Sequence, residues 1–174
     1  MRYAWYGDDF TGAADTLATV ASAGLNAALF LHVPSPAQRE ALGPLDAIGI
    51  AGTARSLSRS AQWDELRPVA TGLRSLKPMV THYKCCSTFD STVDIGNLVI
   101  GASALRGPEH RSPLMVIGGQ PSLGRFCAFG HLFASAGQGG EVYRIDRHPT
   151  MSRHPVTPMT ESDLRRLLLD QGLS

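Results

Sequence analysis

Apolar positions in this chain come in short runs, at residues 3–6, 27–32, 47–50, 79–83 and 114–117. Each run has about the length of a strand buried on both faces, and the set lacks the strict alternation of a sheet with one wet face. Between the runs, residues 12–23, 37–42, 60–76 and 93–105 carry helical spacing. Pro36 suits a first helical turn, whereas Pro68 falls inside the third helical stretch and predicts a kink or a break there. Strand–helix alternation at this spacing predicts βαβ units. Beyond Gly118 the pattern loosens into loops rich in Gly and Pro. The stretch "ESDLRRLLLDQ" then predicts a closing helix with Ser162 or Thr160 as its N-cap.

The expected architecture is α/β: an open, mainly parallel sheet with helices on both faces, Rossmann-like, in a single domain. In such a sheet ligands bind beyond the carboxyl ends of the strands. The segments found there read "GDDFTGA", "AGTARSLSR", "KCCSTFDST" and "GGQPSLGR" after the first, third, fourth and fifth runs. All four carry polar residues of chemical use, and this clustering is the main functional signal in the pattern.

Successive strand residues point to opposite faces, so Asp8 and Asp9 should divide their roles. One faces the cleft and the other caps the helix beginning near Thr11, with Asp8 the preferred cleft residue. A cleft carboxylate can accept hydroxyl hydrogen bonds from a polyol, act as a general base, or help hold a metal. Arg55, among small residues, can reach outward to a carboxylate or phosphate. Lys84 and Asp90 flank the hydroxyl residues Ser87, Ser91 and Thr92 and suit a small anionic polyol, with Asp90 a candidate base; Ser91 or Thr92 can equally cap the next helix. Gly124 and Arg125 end a turn whose glycine allows close backbone approach.

Composition narrows the field. The 174 residues suffice for one domain, and a hydrophobic fraction of 43% with 18% charged residues is ordinary for a globular protein. A net charge of +1, with no run of basic residues, gives no reason to expect nucleic acid or a membrane surface as partner. No apolar run approaches the roughly 18 residues of a membrane span, no leader pattern opens the chain, and the cytoplasm is the expected compartment. Cys85, Cys86 and Cys127 form neither a disulfide framework nor a CxxC metal motif. The six histidines, His110 among them, include no HxxxH or HxH pair, so no metal site is expected. Neither GxGxxG nor GxxxxGK[ST] occurs, which leaves no nucleotide signature.

Taken together, "DDFTGAAD", "ARS", "YKCCSTFDST" followed by "GN", "QPSLGR" and "HPVTPMTESDLRRLL" resemble the N-terminal domain of the four-carbon acid sugar kinases, which phosphorylate threonate, erythronate or 3-oxotetronate. The pieces keep the order and spacing seen in that family from residue 8 to about 168. The resemblance implies ATP-dependent phosphorylation of a four-carbon sugar acid at its terminal hydroxyl. Asp8, Asp9, Arg55, Lys84, Asp90 and Ser91 would contact the substrate, Gly124 and Arg125 would shape the cleft, and Asp90 or Asp8 would be catalytic. The longer "KCCSTFDST" form is more similar to the 3-oxotetronate branch.

Residues 1–150 are then the acid-sugar-binding domain, and 151–174 a linker and helix leading to a C-terminal nucleotide-binding domain outside this chain. ATP and Mg²⁺ would bind there, with no cofactor on this chain, which alone should be inactive. Expected partners are the acid sugar and that domain, and a homodimer is compatible with the resemblance. The alternative is a non-catalytic sugar-acid sensor, which sequence downstream of Ser174 would discriminate. A phosphate-accepting receiver needs an acceptor Asp after the third run, where "IAGTAR" stands. A DxD phosphatase is excluded because Phe10 follows two residues after Asp8.

Overall fold

The computed structural model describes residues 1–108 and 113–173, so His110 lies outside the described residues. Four strands, β1 (Tyr3–Gly7), β2 (Ala27–Phe30), β3 (Ala47–Ala51) and β4 (Val80–Lys84), pair in parallel in the order β2-β3-β1-β4. In register, Gly7 lies opposite both Ala51 and Lys84. Three strand ends therefore stop at one level, and the loops after them start side by side.

The pleat sends alternate residues of β1 to opposite faces. Ala4 and Tyr6, with Ile48 and Ile50 of β3, pack against Leu66, Val69, Ala70 and Leu73 of helix α3 (Arg59–Ser75) and against Ile100, Ala104 and Leu105 of α4 (Leu98–Arg106). Trp5 faces the other side, and its indole N–H donates to the carbonyl of Ala13 in α1 (Phe10–Ser22) at 3.2 Å. Gly49 makes room for the Trp5 ring, since a Cβ there would lie 2.1 Å from it. The expected parallel sheet with helices on both faces is the observed one. A shorter helix, α2 (Pro36–Ala41), starts with a capping box between Ser35 and Gln38.

A second, antiparallel sheet follows, with β5 (Arg125–Ala128), β6 (His131–Ser135) and β7 (Val142–Arg144) in that order. Its core holds Leu132, Ala134, Ile145 and Met159, together with Leu164 and Leu168 of helix α5 (Leu164–Asp170) and Phe89 and Leu98 from the first unit. Residues 151–173 are thus folded against this sheet, with Met159 fully buried.

Several expectations are corrected. Residues 114–117 form no strand; Met115 and Ile117 are 80% and 75% exposed. The chain leads instead into the second sheet. A Cβ on Gly118 would lie 2.7 Å from Leu164, and the Gln120 N–H donates to the Arg125 carbonyl at 2.8 Å. Of the kink or break expected at Pro68, the break does not occur: α3 runs continuously from Arg59 to Ser75, and the carbonyl that proline leaves without a helical partner belongs to exposed Asp64. Helix α4 begins at Leu98 and not at 93, because the Asn97 side chain caps it by accepting from Ile100 N. Thr92 instead stabilises a preceding turn, its hydroxyl accepting from Asp94 N and Ile95 N. The cap of α5 is Asp163, one residue past Ser162.

Candidate functional site

The aligned ends of β1, β3 and β4 bring three loops together. After β1, the chain must turn at once into α1, and Gly7 permits it: a Cβ there would lie 2.5 Å from that of Ala13. Asp9 is the N-cap of α1, its carboxylate accepting from Gly12 N at 2.7 Å. Asp8 is 2% exposed, and its backbone N–H donates to the Lys84 carbonyl at 3.0 Å.

Arg55 arrives from the loop after β3, within a 3-10 turn at Ala54–Ser56. Its backbone N–H donates to the Asp8 carbonyl at 3.1 Å. One terminal guanidinium nitrogen lies 2.8 Å from an Asp8 oxygen, and the other lies 2.9 Å from an Asp9 oxygen. A single fork therefore spans both carboxylates, with each nitrogen on a different acid. Burial pushes the Asp8 carboxyl up to about 6; Arg55 opposes the rise, while the negative charges of Asp9 and Asp90 add to it.

Lys84 ends β4, and its ammonium donates to the Cys85 carbonyl at 2.7 Å. The space a Cβ on Gly12 would occupy is 3.5 Å from that ammonium, so the Lys84 charge sits beside the first turn of α1. Beyond it the chain reverses at Phe89, which adopts φ 55° with its ring buried in the second core. This reversal returns Asp90 to Thr88, whose hydroxyl donates to the Asp90 carboxylate at 2.6 Å. Thr88 is only 3% exposed and was not singled out in the sequence; a threonine two residues before an acid carries no distinctive signal.

Asp8, Asp9, Arg55 and Lys84 are thus brought together, with Asp90 near enough to act on Asp8. Ser91 is placed differently. It is 3% exposed, and its hydroxyl donates to the Phe89 carbonyl and accepts from Gln171 Nε2 at 2.7 Å. Gln171 also accepts from Leu98 N and, through its carbonyl, from Asn97, so Ser91 belongs to a buried network behind Asp90. Gly124 takes a left-handed conformation at φ 69°, where a Cβ would meet Ser135. Arg125 donates to the Leu123 carbonyl, and its loop is tied to the flank of α1 by Gln120, which donates to Asp15 at 2.9 Å.

Chemically, the strand ends gather three carboxylates, which can accept hydrogen bonds, and two cations, of which Arg55 is paired with Asp8 and Asp9. Burial pushes the Cys85 thiol up to about 12 and also raises that of Cys86, so neither is a ready thiolate nucleophile. Among the described residues, no cluster of three or more His, Cys, Asp or Glu is arranged to hold a metal ion. Among the described residues, no helix is long and apolar enough to cross a membrane.

Fold and site together define a parallel α/β domain with a cluster of charged side chains at its strand ends. The chain belongs to the sugar-binding N-terminal domain family, whose model matches residues 3–173. It is similar to the 3-oxo-isoapionate kinase of Paraburkholderia graminis, with 42% identity over 98% of this chain and 36% of the relative. It is also similar to a 3-oxo-tetronate kinase of Methylobacterium radiotolerans, 33% identical over 96% of this chain and 37% of that protein. A crystal structure from Salmonella typhimurium LT2, described as a candidate tRNA synthase, shares the fold with a TM-score of 0.81 and 27% identity, covering 99% of this chain and 39% of that one. The chain therefore spans a little over a third of the length of these relatives, and the two curated ones are named as kinases.

Proposed function

We propose that this chain is the acid-sugar-binding part of an ATP-dependent kinase that phosphorylates a four-carbon sugar acid, such as 3-oxotetronate, threonate or erythronate, at its terminal hydroxyl. The observation that carries the reading is the Arg55 fork across Asp8 and Asp9 beside the Lys84 ammonium. The 3-oxo-tetronate kinase relatives support the substrate class.

Arg55 is already engaged by two carboxylates, so Lys84, at the positive end of α1, is the cation that meets the substrate carboxylate. Asp8 and Asp9 accept hydroxyl hydrogen bonds, and Arg55 orients both and opposes the rise that burial imposes on Asp8. The proton of the attacking hydroxyl passes to Asp90 or Asp8, and Ser91, Gly124 and Arg125 shape the cleft through their neighbours.

This chain's own residues do not fit ATP with Mg²⁺. It has no phosphate-loop motif. We assign both to a C-terminal domain, which the greater length of the kinase relatives supports, and the compartment to the cytoplasm. The test is titration calorimetry of the chain with 3-oxotetronate and with an uncharged tetritol. The acid binds and the tetritol does not, and Lys84→Ala weakens binding by roughly ten- to a hundredfold, the size of a lost charge-assisted hydrogen bond. No measurable binding of any tetronate by the unmodified chain would contradict the reading.

A further inference from the structure

Arg55 can bridge two carboxylates only if the loop that carries it, residues 52–56, holds one conformation. Part of that hold comes from the sheet: Gly52 N donates to the Gly7 carbonyl at 2.9 Å and Arg55 N to that of Asp8 at 3.1 Å. The rest comes from helix α3. Glu65 Oε1 accepts from Thr53 N at 2.8 Å and from the Tyr6 hydroxyl, and Oε2 accepts from the Thr53 hydroxyl at 2.7 Å. The Tyr6 oxygen in turn accepts from Ala54 N at 3.2 Å.

One carboxylate and one phenol thus hold the two backbone N–H groups immediately before Arg55. Gly52 leaves room for the arrangement, since a Cβ there would lie 2.1 Å from the Tyr6 hydroxyl oxygen. Burial alone would raise the Glu65 carboxyl, but the hydrogen bonds from Tyr6 and Thr53 outweigh it and hold it below its ordinary value, hence ionised. From the opposite side Gly96, at φ 62°, passes so close that a Cβ would lie 2.5 Å from the Arg55 carbonyl oxygen.

We propose that Glu65 is a positioning residue of the site, gripping Thr53 and Tyr6 so that the loop sets Arg55 between Asp8 and Asp9. Glu65 is bonded to neither of those carboxylates and acts through Arg55. Its consequence for binding rests on the function proposed above, but its effect on Asp8 needs no ligand. The charged groups acting on Asp8 are Arg55 from the loop after β3, Asp9 from the start of α1 and Asp90 from the loop after β4, and Tyr6, Tyr83 and Cys85 also lie within its field. Of the three charged groups, Arg55 is the one that favours the ionised form. Releasing it raises the pH at which Asp8 titrates.

The test follows the Asp8 carboxyl by carbon NMR through its titration in the unmodified chain, Arg55→Ala, Glu65→Ala and Glu65→Gln. Val69→Ala, on the same helix but within the core, serves as the control for general loosening. Arg55→Ala raises the Asp8 midpoint by about 1–3 pH units, the usual effect of one adjacent opposite charge. Glu65→Ala reproduces most of that rise. Glu65→Gln, which keeps an acceptor oxygen for Thr53 and Tyr6, stays near the unmodified value, as does Val69→Ala. If Glu65→Ala does not fold, Tyr6→Phe, which removes one hydroxyl, carries the same upward expectation. An Asp8 midpoint unchanged in the variant measured, or an equal rise in Val69→Ala, overturns the proposal. Failure of the unmodified chain to bind any tetronate would overturn the function and leave this result standing.

Discussion

The guanidinium of Arg55 lies 2.8 Å from the buried carboxylate of Asp8. This contact explains why two acids stand together where β1 hands over to α1. The second acid, Asp9, caps the helix through one oxygen and meets the other terminal nitrogen of the same arginine through its second. A carboxylate pair at a strand end would repel itself; with Arg55 between, it becomes an oriented acceptor surface.

Asp8 holds its charge against its surroundings, and stability should report it. Its folded-state carboxyl titrates at about 6 against an ordinary 3.8, so the folded state binds this proton more tightly than the unfolded chain. The associated stability is present below pH 3.8 and is lost as the pH rises to about 6. At about 1.4 kcal/mol per pH unit the loss is up to about 3 kcal/mol. Asp8→Asn therefore melts higher than the unmodified chain at pH 8, and the difference shrinks toward pH 4. Thermal denaturation of both proteins across pH measures it, and curves that stay parallel would contradict it.

Close approach at the strand end predicts a stability effect of a different kind. In Gly7→Ala the new methyl would sit 2.5 Å from the Ala13 Cβ and 2.8 Å from its Cα, so β1 and α1 must separate. Overpacking of this type costs about 1–3 kcal/mol. A melting temperature lowered by about 2–10 °C is expected for a chain of this size, and an unchanged one would show that the helix can shift freely.

Asp90 is the test of catalysis. In a longer protein that joins this domain to a nucleotide-binding one, Asp90→Asn lowers kcat by roughly 10²–10⁴ if it accepts the hydroxyl proton. KM moves by much less, because the amide keeps an oxygen for Thr88. A coupled ATP assay gives both constants. Unchanged kcat moves the base role to Asp8.

Much of this was legible in the sequence because buried parallel strands and amphipathic helices announce themselves. The runs at 3–6, 27–32, 47–50 and 79–83 became β1 to β4, and Asp8, Asp9, Arg55 and Lys84 were recognisable as strand-end residues. The run at 114–117 has the same apolar character but no partner, since what decides is where glycines 118 and 119 send the chain next. Strands β5 to β7 are three to five residues long with weak alternation, and the turn between β5 and β6 uses Phe129 at φ 53° with Gly130 in place of an Asn-Gly pair. The support behind the site was hidden for another reason. Glu65 and Gln171 act across distances in sequence that periodicity does not encode, and Thr88, only two residues from Asp90, looks like an ordinary polar residue until the fold closes around it.

The central claim is that an acid sugar sits at the aligned ends of β1, β3 and β4. Titrating isotope-labelled chain with 3-oxotetronate and following backbone amide shifts tests this directly. The account predicts that the largest changes fall on Asp8 to Gly12, Thr53 to Ser56 and Lys84 to Asp90. Changes concentrated instead on the groove between α3 and α4, around Trp63 and Arg74, or none at saturating acid, would contradict it.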